Sequence, residues 1–347
     1  MFFFCIEIKK KNDTIRVVNV VIIRQYYVNI CRRIMKKYIF KRILMFIPVF
    51  FGITILSFGL MYLAPSDPVE MYYISRNQPI PSETELKEKR KELGLDKPLV
   101  VQYGSWLGRF LKGDMGNSYD DREPIAQKIY KALPYTLELT FTSVLLTILI
   151  STPLGIISAA RKDGIIDTVI RYITFTVSSI PGFLLSIFLM YIFGVSLKIL
   201  PVISLNSKGG IILPTLVLAL SMSSKYIRQV RAAVLDELNK EYVLGARSRG
   251  IKENIILYKN VLRNTMVTII TLIGLSIGSL LGGAAIIENI FVWPGMGKLV
   301  IDAIGSRDYP TVQAFVVWMS LIFVVINILT DISYLLLDPR IRMDGDN

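Results

Sequence analysis

The chain has 347 residues, 52% of them hydrophobic, with a mean hydropathy of +0.50. The apolar residues come in blocks of about 20, the length that crosses a hydrocarbon core of roughly 30 Å at 1.5 Å per residue, and this excludes a soluble globular domain. The formal net charge is +13 and there is no histidine. The basic residues gather between apolar blocks as the positive-inside bias requires, which argues against a nucleic-acid surface, and the usual metal ligand and general base are missing.

Continuous apolar runs predict an all-α polytopic membrane protein, because a membrane-spanning barrel would alternate apolar and polar residues. Residues 1–34 mix short apolar bursts with basic residues and hold nothing long enough to span. Met35 is read as the true start and residues 1–34 as an upstream extension that is not translated, the alternative being a cytosolic or interfacial arm. Cys5 and Cys31 lie here and imply no disulfide framework. Residues 35–63 combine a basic lead with an apolar run, Ile43–Leu63, longer than the 7–15 residues of a signal peptide. They are read as the uncleaved first transmembrane helix.

Residues 64–134 follow as a large extracytoplasmic segment. A core of five more spans fills 135–337, at Tyr135–Ala159, Val169–Val195, Ile211–Met222, Thr265–Ile287 and Val312–Leu337. The fourth has a short apolar part and is expected to continue as a helix into "SSKYIRQVRAAVLDEL". The proline of "DPR" (Asp338–Arg340) ends the last helix, leaving 338–347 as a tail.

Charge sets the orientation. Lys36, Lys37, Lys41 and Arg42, then Arg161, Lys162 and Arg171, then Lys225, Arg228, Arg231, Arg247, Arg249, Lys252, Lys259 and Arg263, and finally Arg340 and Arg342 share one side if both termini are cytoplasmic. Segment 64–134 also carries many lysines and arginines, but long loops translocate largely regardless of charge.

Within the cytoplasmic polar segment 225–264, "EYVLGARSRGIKENIILYKNVLRN" (Glu241–Asn264) stands out. Helix is expected from Asp236 onward with Tyr242, Val243 and Ala246 on one face, and Gly250 is placed to stop it in a left-handed cap. A second helix then leads into the fifth span. A short helix joined rigidly to two spans can pass force from a cytoplasmic partner into the membrane. An interfacial helix whose arginines meet lipid phosphates is the alternative.

This stretch resembles the "EAA…G" cytoplasmic loop of ATP-binding-cassette importer permeases, in the variant of the dipeptide, oligopeptide and nickel permeases. Tyr242, Val243, Ala246, Arg247, Gly250, Leu262, Arg263 and Asn264 match it. Gly245 stands where threonine is usual, Ser248 replaces an alanine and Asn260 stands where histidine is common. "LGLDKPLVVQYGSWLGRFLKGDMGNSY", "LPYTLEL", "SSIPGFLLSIFLMYIF", "ENIFVWPGMGKLVIDAIGSRDYP" and "DISYLLLDPRIR" also resemble family segments, in order, between Met35 and Met343.

The resemblance implies a type I importer permease fold and one half of a transmembrane heterodimer. A homologous second permease, two ATPase subunits that hold ATP and magnesium, an extracytoplasmic binding protein and the lipid bilayer are the implied partners, with no nucleic acid. No G-x(4)-G-K-[ST] loop is present, so the chain is expected to be no enzyme and to hold no cofactor or metal. Glu241, Tyr242, Ala246, Arg247, Arg249 and Gly250 are the implied ATPase-coupling residues. Trp293, Pro294 and Gly295 form an external turn read as architectural. Arg307 and Asp308 are candidates for binding-protein contact or a local surface ion pair. Asp331, inside the sixth span where a carboxylate costs about 2.5–3.5 kcal/mol, is a structural or pathway candidate.

The implied location is a bacterial or archaeal cytoplasmic (inner) membrane, and the implied cargo is di- or oligopeptides. Nickel, another chelated metal or a small solute on the same machinery is the alternative. An ATP-independent secondary transporter or channel is more remote, because the spans carry almost no charge besides Asp331.

Overall fold

The computed structural model describes residues 44–337 except 60, 64–67, 75–77, 93 and 206. The readings on residues 1–34, on the basic lead from Met35 and on the 338–347 tail lie outside the described residues. Contacts divide the chain into Met1–Pro48 and Val49–Asn347. Of the first unit only 44–48 are described, and they are helical. All packing below belongs to the second.

No strand occurs among the described residues, and the expected all-α architecture is what the chain adopts. Helix α1 (Leu44–Leu63) is followed by α2 (Pro68–Ile74), α3 (Glu83–Glu92) and α4 (Leu99–Leu111). Helix α4 buries Gln102, Leu107 and Phe110. Its Tyr103 meets the Thr54 hydroxyl at 2.9 Å, and Phe58, Tyr103, Trp106 and Phe110 form a run of ring contacts at 5.6–6.1 Å.

Helix α5 (Ile125–Ala160) begins at Ile125, ahead of the expected Tyr135. Its first turns are held by tertiary burial, with Ile125, Ile129 and Ala132 packed against Met296 and Ala314. The expected third span is broken. Helices α6 (Ile165–Ser179) and α7 (Gly182–Leu189), the latter running on as wider π turns through Ser196, meet at 102°. Pro181 explains the break: Ile180 takes φ −87°, ψ 124°, the extended conformation that a following proline enforces.

Helix α8 (Ile212–Leu238) runs unbroken for 27 residues, through the polar continuation expected of the fourth span. Its crossing with α5 depends on Gly155, where a Cβ would lie 2.7 Å from Val230 and 3.0 Å from the Ile227 carbonyl. After α9 (Glu241–Ser248), the short α10 (Glu253–Ile255) continues as π turns over Ile256–Val261 into α11 (Leu262–Ile290). Then come α12 (Met296–Gly305) and α13 (Tyr309–Leu337). Gly274 and Gly278 let α13 approach α11, since a Cβ at either would collide with Thr330 or Phe323. Small residues at such contacts are how helices pack in lipid.

Six spans were expected. Among the described residues three helices are long and apolar enough to cross a membrane, or up to five if each bent pair is one span. Helix α8 is not among them, because Lys225, Arg228 and Arg231 follow soon after its short apolar start.

Candidate functional site

Helix α9 and its supports form an extended polar structure among the described residues. Lys240 precedes the helix in an extended conformation, and Gly250 ends it at φ +75°. Gly250 N–H donates to the Arg247 carbonyl (2.9 Å) and Ile251 N–H to the Ala246 carbonyl (3.2 Å), the paired closure of a Schellman motif. Glycine adopts this left-handed backbone without the steric penalty that a Cβ brings.

One face of α9 is fully engaged. Val243 is 0% exposed and Ala246 2%, set among Ile156 and Ala159 of α5, Val230 and Val234 of α8, and Ile256, Leu257, Val261 and Ile269. Half-buried Tyr242 and Ile251 border this cluster. The other face, Glu241, Leu244, Gly245 and Ser248, is exposed, with Leu244 at 56%. A Cβ at Gly245 would meet nothing within 4 Å.

Glu237, at the end of α8, fixes the angle of this elbow. Its Oε1 accepts from the Tyr242 hydroxyl (3.0 Å) and from Asn264 Nδ2 (2.8 Å), while its Oε2 pairs with Lys240 Nζ at 2.6 Å. One buried carboxylate thus ties α8 to both α9 and α11. Burial pushes its pKa up, but the bonds from Lys240, Asn264 and Tyr242 outweigh that and hold it below the usual glutamate value. Burial, and then the Glu237 carboxylate, push the Tyr242 hydroxyl up to about 12, so it stays a donor at physiological pH.

The arginines of this stretch are used locally. Arg247 grips Glu253 with Nε at 2.6 Å and Nη2 at 3.3 Å, which locks the turn after Gly250. Arg249 Nε donates to the Gly245 carbonyl at 3.0 Å, with its side chain exposed. Beside the elbow, Asp167 of α6 is 0% exposed and receives Arg231 of α8 through Nε (2.7 Å) and Nη2 (2.6 Å). Ser158 of α5 and the Asp163 N–H complete its shell.

At the opposite end of α11, Glu288 plays a comparable part. It is 0% exposed, accepts from Thr136 Oγ1 at 2.7 Å, and caps α12 by accepting from the Gly297 (2.7 Å) and Lys298 (3.1 Å) N–H groups. Trp293 is buried, donates Nε1–H to the Tyr135 carbonyl at 3.0 Å and stands edge-on to the Tyr135 ring at 5.6 Å. A Cβ at Gly295 would lie 2.4–2.5 Å from the Glu288 carboxylate. Trp293, Pro294 and Gly295 therefore wrap a buried carboxylate.

Arg307 is exposed at φ +57° in the turn before α13, whereas Asp308 is only 1% exposed. The expected surface role of Asp308 is corrected by its geometry. At the start of α13, it accepts from Ser118 Oγ (2.6 Å), the Tyr119 N–H (3.0 Å) and Thr311 Oγ1 (2.5 Å), so its oxygens face inward. Burial first, and then nearby Asp308, raise Tyr119 to about 12 against the lowering effect of Arg109. Asp331 lies half-buried in α13 and is engaged within the chain.

Sequence reasoning passed over Glu237, Asp167 and Glu288, and read Arg231 only as a loop cation. Glu288 at least stood in the quoted "ENIFVWPGMG" stretch, where an acidic residue beside an apolar run was the available signal. Glu237 sits in a polar stretch where nothing singles it out.

A helical protein with apolar helices long enough to cross a membrane and an elbow between two long helices is the class this geometry defines. The chain belongs to the family of binding-protein-dependent transport system inner membrane components, whose profile matches residues 151–343, with the family's N-terminal profile matching 35–140. It is 39% identical to the oligopeptide transport system permease protein AppB of Bacillus subtilis, over 89% of this chain and 100% of that one. It is 36% identical to the glutathione transport system permease protein GsiC of Salmonella choleraesuis, over 89% and 99%. A putative peptide permease of Brucella suis is 35% identical, over 89% and 100%. The fold is similar to an inward-facing MetNI methionine ABC transporter, with TM-score 0.55 and 18% identity over 62% of this chain and 99% of that chain.

Proposed function

We propose that this chain is the permease subunit of an ATP-driven importer of di- or oligopeptides, coupled to a separate ATPase through α9. The observation that carries this reading is the two-faced character of α9. Its inner face is packed against α5, α8 and α11, while Glu241, Leu244, Gly245 and Ser248 present an exposed face on which a Cβ at Gly245 meets nothing within 4 Å. A short helix so held moves only with the long helices it joins, a two-state packing change rather than chemistry.

In this reading both termini are cytoplasmic and α9 faces the cytosol. A homologous second permease completes the pathway, two ATPase subunits bind ATP and magnesium, and an extracytoplasmic binding protein delivers cargo. Arg247 serves by locking the turn onto Glu253, and Arg249 and Glu241 are the charges turned to the partner. The peptide assignment is supported by the relatives named for oligopeptide and glutathione transport.

Gly245→Trp is the test. Gly245 is exposed and a Cβ there meets nothing within 4 Å, so folding is expected to survive while ATP-driven peptide uptake and ATPase co-purification fall by tenfold or more. Full uptake by a folded Gly245→Trp transporter would overturn coupling through α9.

A further inference from the structure

A cavity of about 690 Å³ lies between the C-terminal end of α1, the α3–α4 segment, the loop preceding α5 and the first turn of α13. Ligand pockets commonly enclose 300–1,000 Å³. Its lining is electrostatically one-sided. The two carboxylates are already engaged: Glu92 holds Lys89 at 2.7 Å, and Asp114 accepts from the Gly116 N–H at 3.0 Å. Lys91, Lys97, Arg109 and Arg122 also line it, and none of the four forms an ion pair among the described residues.

A buried group points to the same chemistry. Gln313, in the first turns of α13, is 3% exposed and lines the cavity, and its Nε2 has no hydrogen-bond partner. Buried donors are almost always satisfied, and one left open beside a cavity calls for an acceptor there. The apolar wall is Phe58 and the half-buried Trp106, their rings 6.0 Å apart. A neutral donor, a guanidinium fork and an aromatic wall suit a carboxylate joined to a side chain.

We propose that this cavity is a receiving site for the C-terminal carboxylate of a peptide, with Arg109 and Gln313 as its donors and Trp106 packing the last side chain. The site deepens the import reading and rests on it, since that reading places the cavity on the outer face. Cargo released from a binding protein would be held there before it enters the pathway. Asp308 is a positioning residue for the site, because it fixes the Ser118–Tyr119 backbone that forms one wall.

The test uses the assembled transporter in lipid nanodiscs, without nucleotide or binding protein, and measures equilibrium binding of trialanine and of trialanine C-terminal amide. Trialanine is expected to bind roughly tenfold or more tightly than its amide, the scale of a hydrogen bond to a charged group. Arg109→Gln and Gln313→Leu should each remove most of that difference while leaving the amide unchanged. Equal binding of acid and amide, or unaltered binding in both variants, overturns the proposal. So does a result in which Arg109→Gln weakens docking of the unloaded binding protein with trialanine binding unchanged, which would assign the cations to an acidic partner side chain. ATP-driven uptake by the unaltered transporter separates the two readings. Uptake with no acid–amide discrimination sinks the cavity alone, and a transporter that moves no peptide sinks the import reading and this site with it.

Discussion

The two ends of α11 are built on the same device with opposite outcomes. At one end Glu288 is buried and accepts three hydrogen bonds, none from a cation. At the other, Glu237 is buried at the junction of α8, α9 and α11 with one lysine and two neutral donors. Around Glu288 the backbone presses so closely that a Cβ at 295 or 297 would lie under 3.0 Å from its neighbours. Around Glu237 the inner face of α9 is buried as well, but the outer face is open, and a Cβ at Gly245 would meet nothing within 4 Å. One end is built as a tight corner, the other as an elbow with an exposed outer face.

That contrast can be broken by mutation. The largest effect is expected at the tight corner. Glu288→Ala leaves the Thr136 hydroxyl and two backbone N–H groups buried without an acceptor, at about 1–3 kcal/mol each. Thermal unfolding of the detergent-solubilised transporter should drop sharply or the chain should fail to accumulate, and a near-unaltered melting temperature would refute the corner. Gly155→Val should follow at roughly 1–3 kcal/mol, because overpacking at the α5–α8 crossing forces Val230 or the Ile227 backbone aside.

At the elbow, Gly250→Val is expected to cost about 1–2 kcal/mol of left-handed strain, with open space around the site, and, if α9 couples as proposed, to impair uptake more than folding. Equal losses in both would make Gly250 a folding residue only. A pH test sharpens the role of Glu237. Its pKa is held below the usual glutamate value, so its stabilising contribution is full above that usual value and is lost as pH falls through the lowered one. Glu237→Gln should flatten the acid limb of the stability profile, and an unchanged limb would remove Glu237 from the account. The smallest effect belongs to Gly245→Ala, which should stabilise α9 by about 1 kcal/mol or less. A loss of stability there would mean the outer face is not open.

Much of this was readable in the chain itself, for identifiable reasons. Gly250 stood between two helical patterns, where only a left-handed cap reconciles them, and Tyr242, Val243 and Ala246 share a face by helical spacing. Pro181 was equally visible in "SSIPG", but a span averaged over its length hides a break that one residue imposes. Asp308 was misjudged for a different reason. Beside Arg307 it reads as half of a surface pair, and only the return of the Ser118–Tyr119 loop across the start of α13 buries it.

By itself the sequence determined that this chain is a bundle of apolar helices with a polar elbow stopped by a glycine, because hydrophobic length, helical period and left-handed backbone are local properties. Tertiary structure alone decided which carboxylates are buried and by whom they are held. Asp167 finds Arg231, Glu237 finds Asn264 and Glu288 finds Thr136 across separations that no local pattern encodes. The same long-range packing decided that one face of α9 is buried and the other left open.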